Sequence, residues 1–99
     1  FTSMSTRMEE LANQGKAWMG ILPNPLTGAG GISIHLPHPA HAYLAVYDLS
    51  GKLVMVLEDG WMPAGFSKFS LSDASLAEGM YICRLQTGDE VLSEKLIVR

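Results

Sequence analysis

The sequence is poor in cysteine, in clustered basic charge and in long apolar runs, and each scarcity narrows its possible roles. A single cysteine, Cys83, precludes an intrachain disulfide, and its apolar neighbours indicate a small core side chain. The seven lysines and arginines are scattered and the net charge is −3, which argues against nucleic-acid binding. No apolar stretch approaches the roughly 18–20 residues of a membrane-spanning helix.

Motifs for catalysis and for metal binding are missing as well. There is no Gly-x-Ser-x-Gly elbow, no His-Glu-x-x-His pair and no phosphate loop. His35, His38 and His41 are the one group of candidate ligands, but Pro37 and Pro39 interrupt them, and alternate strand positions face opposite sides. We therefore expect three exposed turn histidines, no metal or other cofactor, and no enzyme activity.

What the sequence does contain is a series of short apolar runs separated by turn signals. Runs at residues 17–22, 32–36, 42–47, 53–57, 69–71, 80–85 and 91–98 predict seven strands, with turns at 27–31 and 59–65 among the connections. This spacing predicts an all-β, immunoglobulin-like antiparallel sandwich. The run at 53–57 is apolar at every position, so that strand should be covered on both faces or carry a bulge. The predicted core consists of Ile32, Ile34, Leu44, Val46, Leu57, Phe69, Leu71, Tyr81 and Leu96.

Residues 1–16 differ in kind from the β region at 17–99. Thr6 and Glu9 have the spacing of a capping box, and Met4, Met8 and Leu11 recur at helical intervals. A linker from an upstream domain and a short helix over about 7–14 both fit this pattern. Since the chain begins at Phe1 rather than at a methionine, we expect it to be a piece of a longer protein.

Four aromatic side chains allow two interpretations. Tyr43 and Tyr47 share strand parity and should face away from the core, and Trp18 and Trp61 accompany them. Such rings pack against a neighbouring layer or form a sugar-binding platform, and we favour packing.

Two short motifs have clear backbone consequences. The Asp48–Lys52 stretch lies between apolar runs and predicts a hairpin in which Gly51 supplies a positive φ. Pro23-Asn24-Pro25 removes strand hydrogen-bond donors and predicts a kink at which an edge strand leaves its sheet or changes sheets.

Four motifs in this order resemble the C-terminal sorting domain of proteins exported by the type IX secretion system. They are Leu22-Pro23-Asn24-Pro25, the hairpin from Tyr47 to Val54, Leu76 with Gly79-Met80-Tyr81, and the terminal strand Lys95–Arg99. The immunoglobulin-like domain of the flagellar hook-cap protein is similar, but termination at Arg99 favours the sorting domain. Leu26-Thr27 depart from the aromatic residue and asparagine that usually follow the first motif.

The resemblance implies a non-catalytic module that targets an upstream cargo in the same polypeptide for export across the outer membrane and for surface attachment. It implies an outer-membrane type IX translocon and a surface sortase as partners, and a secreted or cell-surface location, with no nucleic acid and no transmembrane segment. The residues that it implies for recognition are Pro23, Asn24, Pro25, Asp48, Gly51, Lys52, Gly79, Tyr81, Lys95 and Arg99. The alternative is an immunoglobulin-like spacer or a carbohydrate-binding accessory module of a secreted enzyme.

Overall fold

Seven antiparallel strands form two facing sheets in the computed structural model, which describes residues 15–72, 76–88 and 90–99. The strands are β1 (Trp18–Leu22), β2 (Ala29–Leu36), β3 (Ala40–Asp48), β4 (Leu53–Met62), β5 (Gly65–Ser72), β6 (Gly79–Thr87) and β7 (Glu90–Val98). The possible helix over 7–14 lies outside the described residues, as do residues 73–75 and 89. No helix in the described part has the length and apolar character needed to span a membrane.

The sheet order identifies an immunoglobulin-like sandwich. One sheet has the order β1-β2-β5 and the other β4-β3-β6-β7, so that the first, second and fifth strands face the third, fourth, sixth and seventh. The prediction of a seven-stranded immunoglobulin-like sandwich is therefore confirmed. The strands at the edges are β1 and β5 in the first sheet and β4 and β7 in the second.

The core lies between the sheets and follows from the alternation of side chains along each strand. In β3, Leu44 and Val46 are fully buried, whereas Tyr43 and Tyr47 occupy the outer face and are partly exposed. All nine predicted core residues belong to this cluster, seven of them buried, with Leu57 and Phe69 partly buried against it. Leu26, Leu36, Leu85 and Val98 are further buried side chains that the prediction did not include.

The fourth strand is longer than predicted. The turn predicted at 59–65 is wrong for its first four residues, because β4 continues to Met62 and pairs along β3 as far as Ala40. Met62 is buried, and this burial together with the backbone pairing outweighs the turn preference of Asp59 and Gly60. The expected bulge is present, since the register shifts at Leu44/Ala45 and again at Val46/Tyr47.

The turn predicted at 27–31 is also too long. β2 begins at Ala29, and Gly30 and Gly31 pair with β5. A Cβ atom on Gly30 would lie 2.6 Å from Cδ of Pro23, so only glycine lets the segment after β1 pass this close.

The Pro-Asn-Pro segment changes sheets, as predicted. β1 pairs with β2 in the first sheet as far as Leu22. Two cis X–Pro bonds follow, and Leu26 then forms an isolated parallel bridge with Val98 of the second sheet. Leu26 is fully buried, so the crossing also adds a side chain to the core.

Candidate functional site

The four sequence motifs converge on one end of the sandwich. Asp48, at the end of β3, pairs with Tyr81 of β6, and Tyr81 pairs with Leu96 of β7. The hairpin turn extends from Asp48, and Asn24 is bonded to the backbone of β7. We call this region, formed by residues 23–26, 48–52, 76–81 and 95–99, the motif end.

The hairpin turn is organised by one carboxylate. Oδ1 of Asp48 accepts hydrogen bonds from the backbone N–H of Ser50 (3.0 Å), the hydroxyl of Ser50 (2.7 Å) and the backbone N–H of Lys52 (2.9 Å). These bonds, the Ser50 hydroxyl first among them, lower the pKa of Asp48 from its ordinary value. Gly51 has φ +90° and donates its N–H to the Asp48 carbonyl, as the sequence predicted. The Asp48 carboxylate is thus committed to the turn, whereas the Lys52 residue is exposed.

The side chain of Asn24 acts as a short strand partner for β7. Its amide nitrogen donates to the carbonyl of Lys95 at 2.6 Å, and its Oδ1 accepts from the N–H of Ile97 at 3.1 Å. Leu26 continues the pairing through its backbone, donating to the Ile97 carbonyl at 2.6 Å and accepting from the N–H of Arg99 at 3.0 Å. The outward backbone groups over the last part of this edge strand are therefore satisfied.

A tyrosine closes the corner before β6. The hydroxyl of Tyr81 donates to the carbonyl of Ala77, four residues upstream, at 2.5 Å. The same bond characterises the tyrosine corner of immunoglobulin-like domains. Gly79 lies between them with φ +150°, and Leu76 is buried below, so the motif Leu-x-x-Gly-x-Tyr specifies this corner.

The predicted recognition residues therefore fall into two groups. One group determines the backbone conformation of the motif end, through side-chain hydrogen bonds of Asn24, Asp48 and Tyr81 and through positive φ at Gly51 and Gly79. Pro23 and Pro25 flank Asn24 in the segment that changes sheets. Lys52, Lys95 and Arg99 are exposed. The sequence did not indicate the contributions of Leu26, Ser50 and Ala77. Leu26 and Ala77 form their hydrogen bonds through backbone groups, which any residue carries, so their identity gives no signal.

Three exposed cations lie at the motif end, beside the carboxylates of Asp48 and Glu78. They are half of the six lysines and arginines in the described residues, in a chain whose net charge is −3. Lys95 occupies the outer face of the sheet in the same cross-strand row as Tyr47 and Ile82. Lys52 adjoins the row on the opposite edge strand, about 14 Å away at the usual spacing between strands.

The histidines do not form a site. His35 is not an exposed turn residue as predicted: it lies in β2, partly buried, with its ring centroid 4.6 Å from that of Phe66. His38 is exposed between β2 and β3, as predicted. His41 is exposed but lies in β3 and not in a turn, with its Nε2 3.2 Å from Oδ1 of Asp59. Among the described residues no group of three or more potential ligands is placed to hold a metal ion.

The single thiol is buried in the core. Burial, with a smaller contribution from Glu94, raises the pKa of Cys83 to about 12, so the reactive thiolate form is suppressed. This agrees with the small core side chain that the sequence indicated.

Comparison with known proteins assigns the family. The family described as the secretion system C-terminal sorting domain matches residues 20–99, and no curated protein sequence matches the chain. The crystal structure of dimeric latent PorU from Porphyromonas gingivalis aligns with a TM-score of 0.62 and 17% identity over 84% of this chain. The chain spans 9% of that PorU chain, so this likeness concerns the fold alone. The Ig1 domain of mouse SynCAM 2 aligns with a TM-score of 0.40 and 17% identity over 72% of this chain and 80% of its own.

The family match covers all four motifs of the motif end. The chain therefore belongs to the C-terminal sorting domains of type IX secretion, the signals that direct proteins to export and to a secreted or cell-surface location.

Proposed function

We propose that the domain marks an upstream cargo in the same polypeptide, and that the outer-membrane translocon recognises it through Lys52, Lys95 and Arg99. The observation that carries this proposal is the division of the motif residues. The polar groups of Asn24, Asp48 and Tyr81 are hydrogen-bonded within the domain. The three cations, in contrast, are exposed on the surface of the motif end.

Side-chain contact fits this end better than addition of a partner strand. An added strand needs free N–H and C=O groups along a sheet edge. Near the end of β7 those groups are bonded to Asn24 and Leu26, so a partner would first have to displace the Pro-Asn-Pro segment. Exposed lysines and an arginine need no such displacement, and they favour a partner surface that carries acidic side chains.

A surface sortase is the second partner that we propose, acting within residues 1–16. Ala17, directly before β1, is buried and donates its N–H to the carboxylate of Glu90, 3.3 Å from each oxygen. Cleavage before this point would separate the cargo without removing any strand of the sandwich. Sorting domains are typically non-catalytic, and we propose that this one has no enzyme activity of its own.

The test is export of a reporter protein fused ahead of residues 1–99 in a bacterium with a type IX system. The variant K52E/K95E/R99E reverses all three charges at exposed positions, and we expect the reporter to accumulate in the periplasm. The matched control is K68E, a reversal at an exposed site on the first sheet, which should be exported normally.

Measurements on the purified domains show whether unfolding causes the loss of export. Thermal unfolding of the triple variant should match that of the control, since none of the three side chains is buried. If the triple variant remains folded and is exported as efficiently as K68E, the translocon does not read these cations and the proposal is wrong.

A further inference from the structure

A second surface feature lies at the opposite end of the four-stranded sheet. It is a shallow cleft of about 590 Å³ on the outer face, lined by Pro39, Ala40, His41, Tyr43, Trp61, Gln86, Thr87 and Gly88. Trp61 pairs with His41 across β4 and β3 and is 71% exposed, more than any other large hydrophobic residue of the described part. The packing that the sequence favoured for this ring is therefore not found within the described part of the domain, and the indole face is open to contact with another molecule.

Polar side chains alternate with the aromatic rings around this cleft. Tyr43 pairs with Asp59 on one side and with Gln86 on the other, so three side chains form a row beside the Trp61–His41 pair. Nε2 of His41 lies 3.2 Å from Oδ1 of Asp59 and so joins the two rows, and the two side chains are 62% and 59% exposed.

The Tyr43 side chain is the middle member of the row with Asp59 and Gln86. It shares a hydrogen bond with Tyr47, and desolvation, followed by the nearby Tyr47 and Asp59, raises the pKa of Tyr43. The cleft thus combines an aromatic surface with hydrogen-bonding groups in one rigid β framework.

We propose that this cleft binds a neutral saccharide. One face of a pyranose ring is apolar and packs on an indole such as Trp61, while its hydroxyls bond to carboxylate, imidazole and amide groups such as those of Asp59, His41 and Gln86. The volume lies within the range of small-molecule sites. None of the described residues that line the cleft is a lysine or an arginine, which disfavours an anionic sugar.

The site is independent of the proposed translocon contact. His41 and Tyr47 are six positions apart along β3, about 20 Å, and Tyr47 belongs to the cross-strand row that also contains Lys95. Saccharide binding and recognition for export should therefore respond to different substitutions.

The two tryptophans make binding directly observable. Trp61 lies on the outer face of the second sheet, and Trp18 lies on the outer face of the first, over Gly20. In an NMR spectrum of the ¹⁵N-labelled domain, each indole N–H gives one signal, and the signal lost in W61A belongs to Trp61. We would titrate this domain separately with cellohexaose, maltohexaose and mannohexaose. With at least one sugar, the Trp61 signal should shift to saturation while the Trp18 signal stays in place.

Variants then assign the contacts. W61A should abolish binding. D59N, which removes the charge that strengthens a hydrogen bond to the carboxylate, and Q86A, which removes a hydrogen-bonding group, should each weaken it about tenfold. F66A removes an exposed aromatic side chain from the opposite sheet and should bind as the unmodified domain does. Unchanged melting temperatures of W61A and D59N would exclude unfolding as the cause.

Several results would overturn the proposal. They are a Trp61 signal that does not move with any of the three sugars at about 10 mM, equal shifts of both indole signals, or retained binding in W61A. If the titrations are silent and W61A blocks export of the reporter, the cleft contacts a protein rather than a saccharide. The result that we expect is bound sugar in the unmodified domain together with normal export of W61A.

Discussion

Replacement of Asn24 by alanine should loosen the terminal strand from the Pro-Asn-Pro segment. The change removes two hydrogen bonds, one to the carbonyl of Lys95 and one from the N–H of Ile97. Each bond of this kind contributes about 0.5–1.5 kcal/mol, and both lie at an exposed edge where water replaces part of the loss. We therefore expect the free energy of unfolding to fall by about 1–2 kcal/mol, which lowers the melting temperature of a domain of this size by roughly 4–16 °C.

Two companion variants separate the bonds from general effects of substitution. N24D keeps an oxygen that accepts from Ile97 but loses the donor to Lys95, and its carboxylate faces a carbonyl oxygen, so it should be at least as destabilised as N24A. Thr27 lies exposed in the same connecting segment, and T27A should leave the stability unchanged.

Urea unfolding followed by tryptophan fluorescence gives the free energies, and hydrogen exchange locates the effect. The amide of Ile97 loses its acceptor in N24A and should exchange faster than in the unmodified domain. The amides of β6 that pair with the inner side of β7 should change much less. A stability of N24A equal to that of T27A, with an unchanged exchange rate at Ile97, would show that Asn24 does not hold this edge.

Two other predictions concern Tyr81 and Asp48, whose side chains are hydrogen-bonded at the motif end. Y81F deletes only the hydroxyl that donates to Ala77, so thermal unfolding should show that the free energy of unfolding falls by about 0.5–1.5 kcal/mol. An unchanged stability would show that the tyrosine corner does not stabilise the domain. Because the folded-state pKa of Asp48 is depressed, its contribution is present above the unfolded value near 3.9 and is lost as the pH falls through the folded value. The unmodified domain should therefore lose more stability between about pH 5 and pH 3 than D48N does, and parallel pH profiles for the two proteins would contradict this.

The parts of the fold that sequence predicted well are those set by neighbours in the chain. The parity of Leu44 and Val46 places them inside, because successive residues of a strand face opposite sides. Gly51 has the positive φ that a tight reversal requires. The apolar run after Lys52 carries the expected bulge, although Leu53, Val54 and Val56 remain exposed.

The parts that sequence did not predict depend on contacts between distant segments. Asp59-Gly60 has turn composition, yet pairing with β3 and the burial of Met62 extend the strand through it. His35 is partly buried because β5 brings Phe66 beside it, which its proline-rich surroundings did not indicate. Asn24 was expected as a recognition residue, and its bonds to a strand about seventy positions later are visible only in the fold.

This dependence on distant contacts bears on how the sorting motifs act. A motif residue affects export either by touching the translocon or by holding in place the residues that do, and the sequence alone does not separate the two. In the structure, Asn24, Asp48 and Tyr81 have their polar groups bonded to the backbone of the motif end, and Lys52 and Lys95 are exposed. Substitution of Asn24, Asp48 or Tyr81 should therefore reduce export in proportion to the stability that is lost. Charge reversal of the exposed cations should reduce export although the domain remains fully folded. We therefore propose that the translocon recognises the folded motif end, and we expect that a peptide carrying the terminal strand alone, without Asn24 and the hairpin beside it, would not present the same surface.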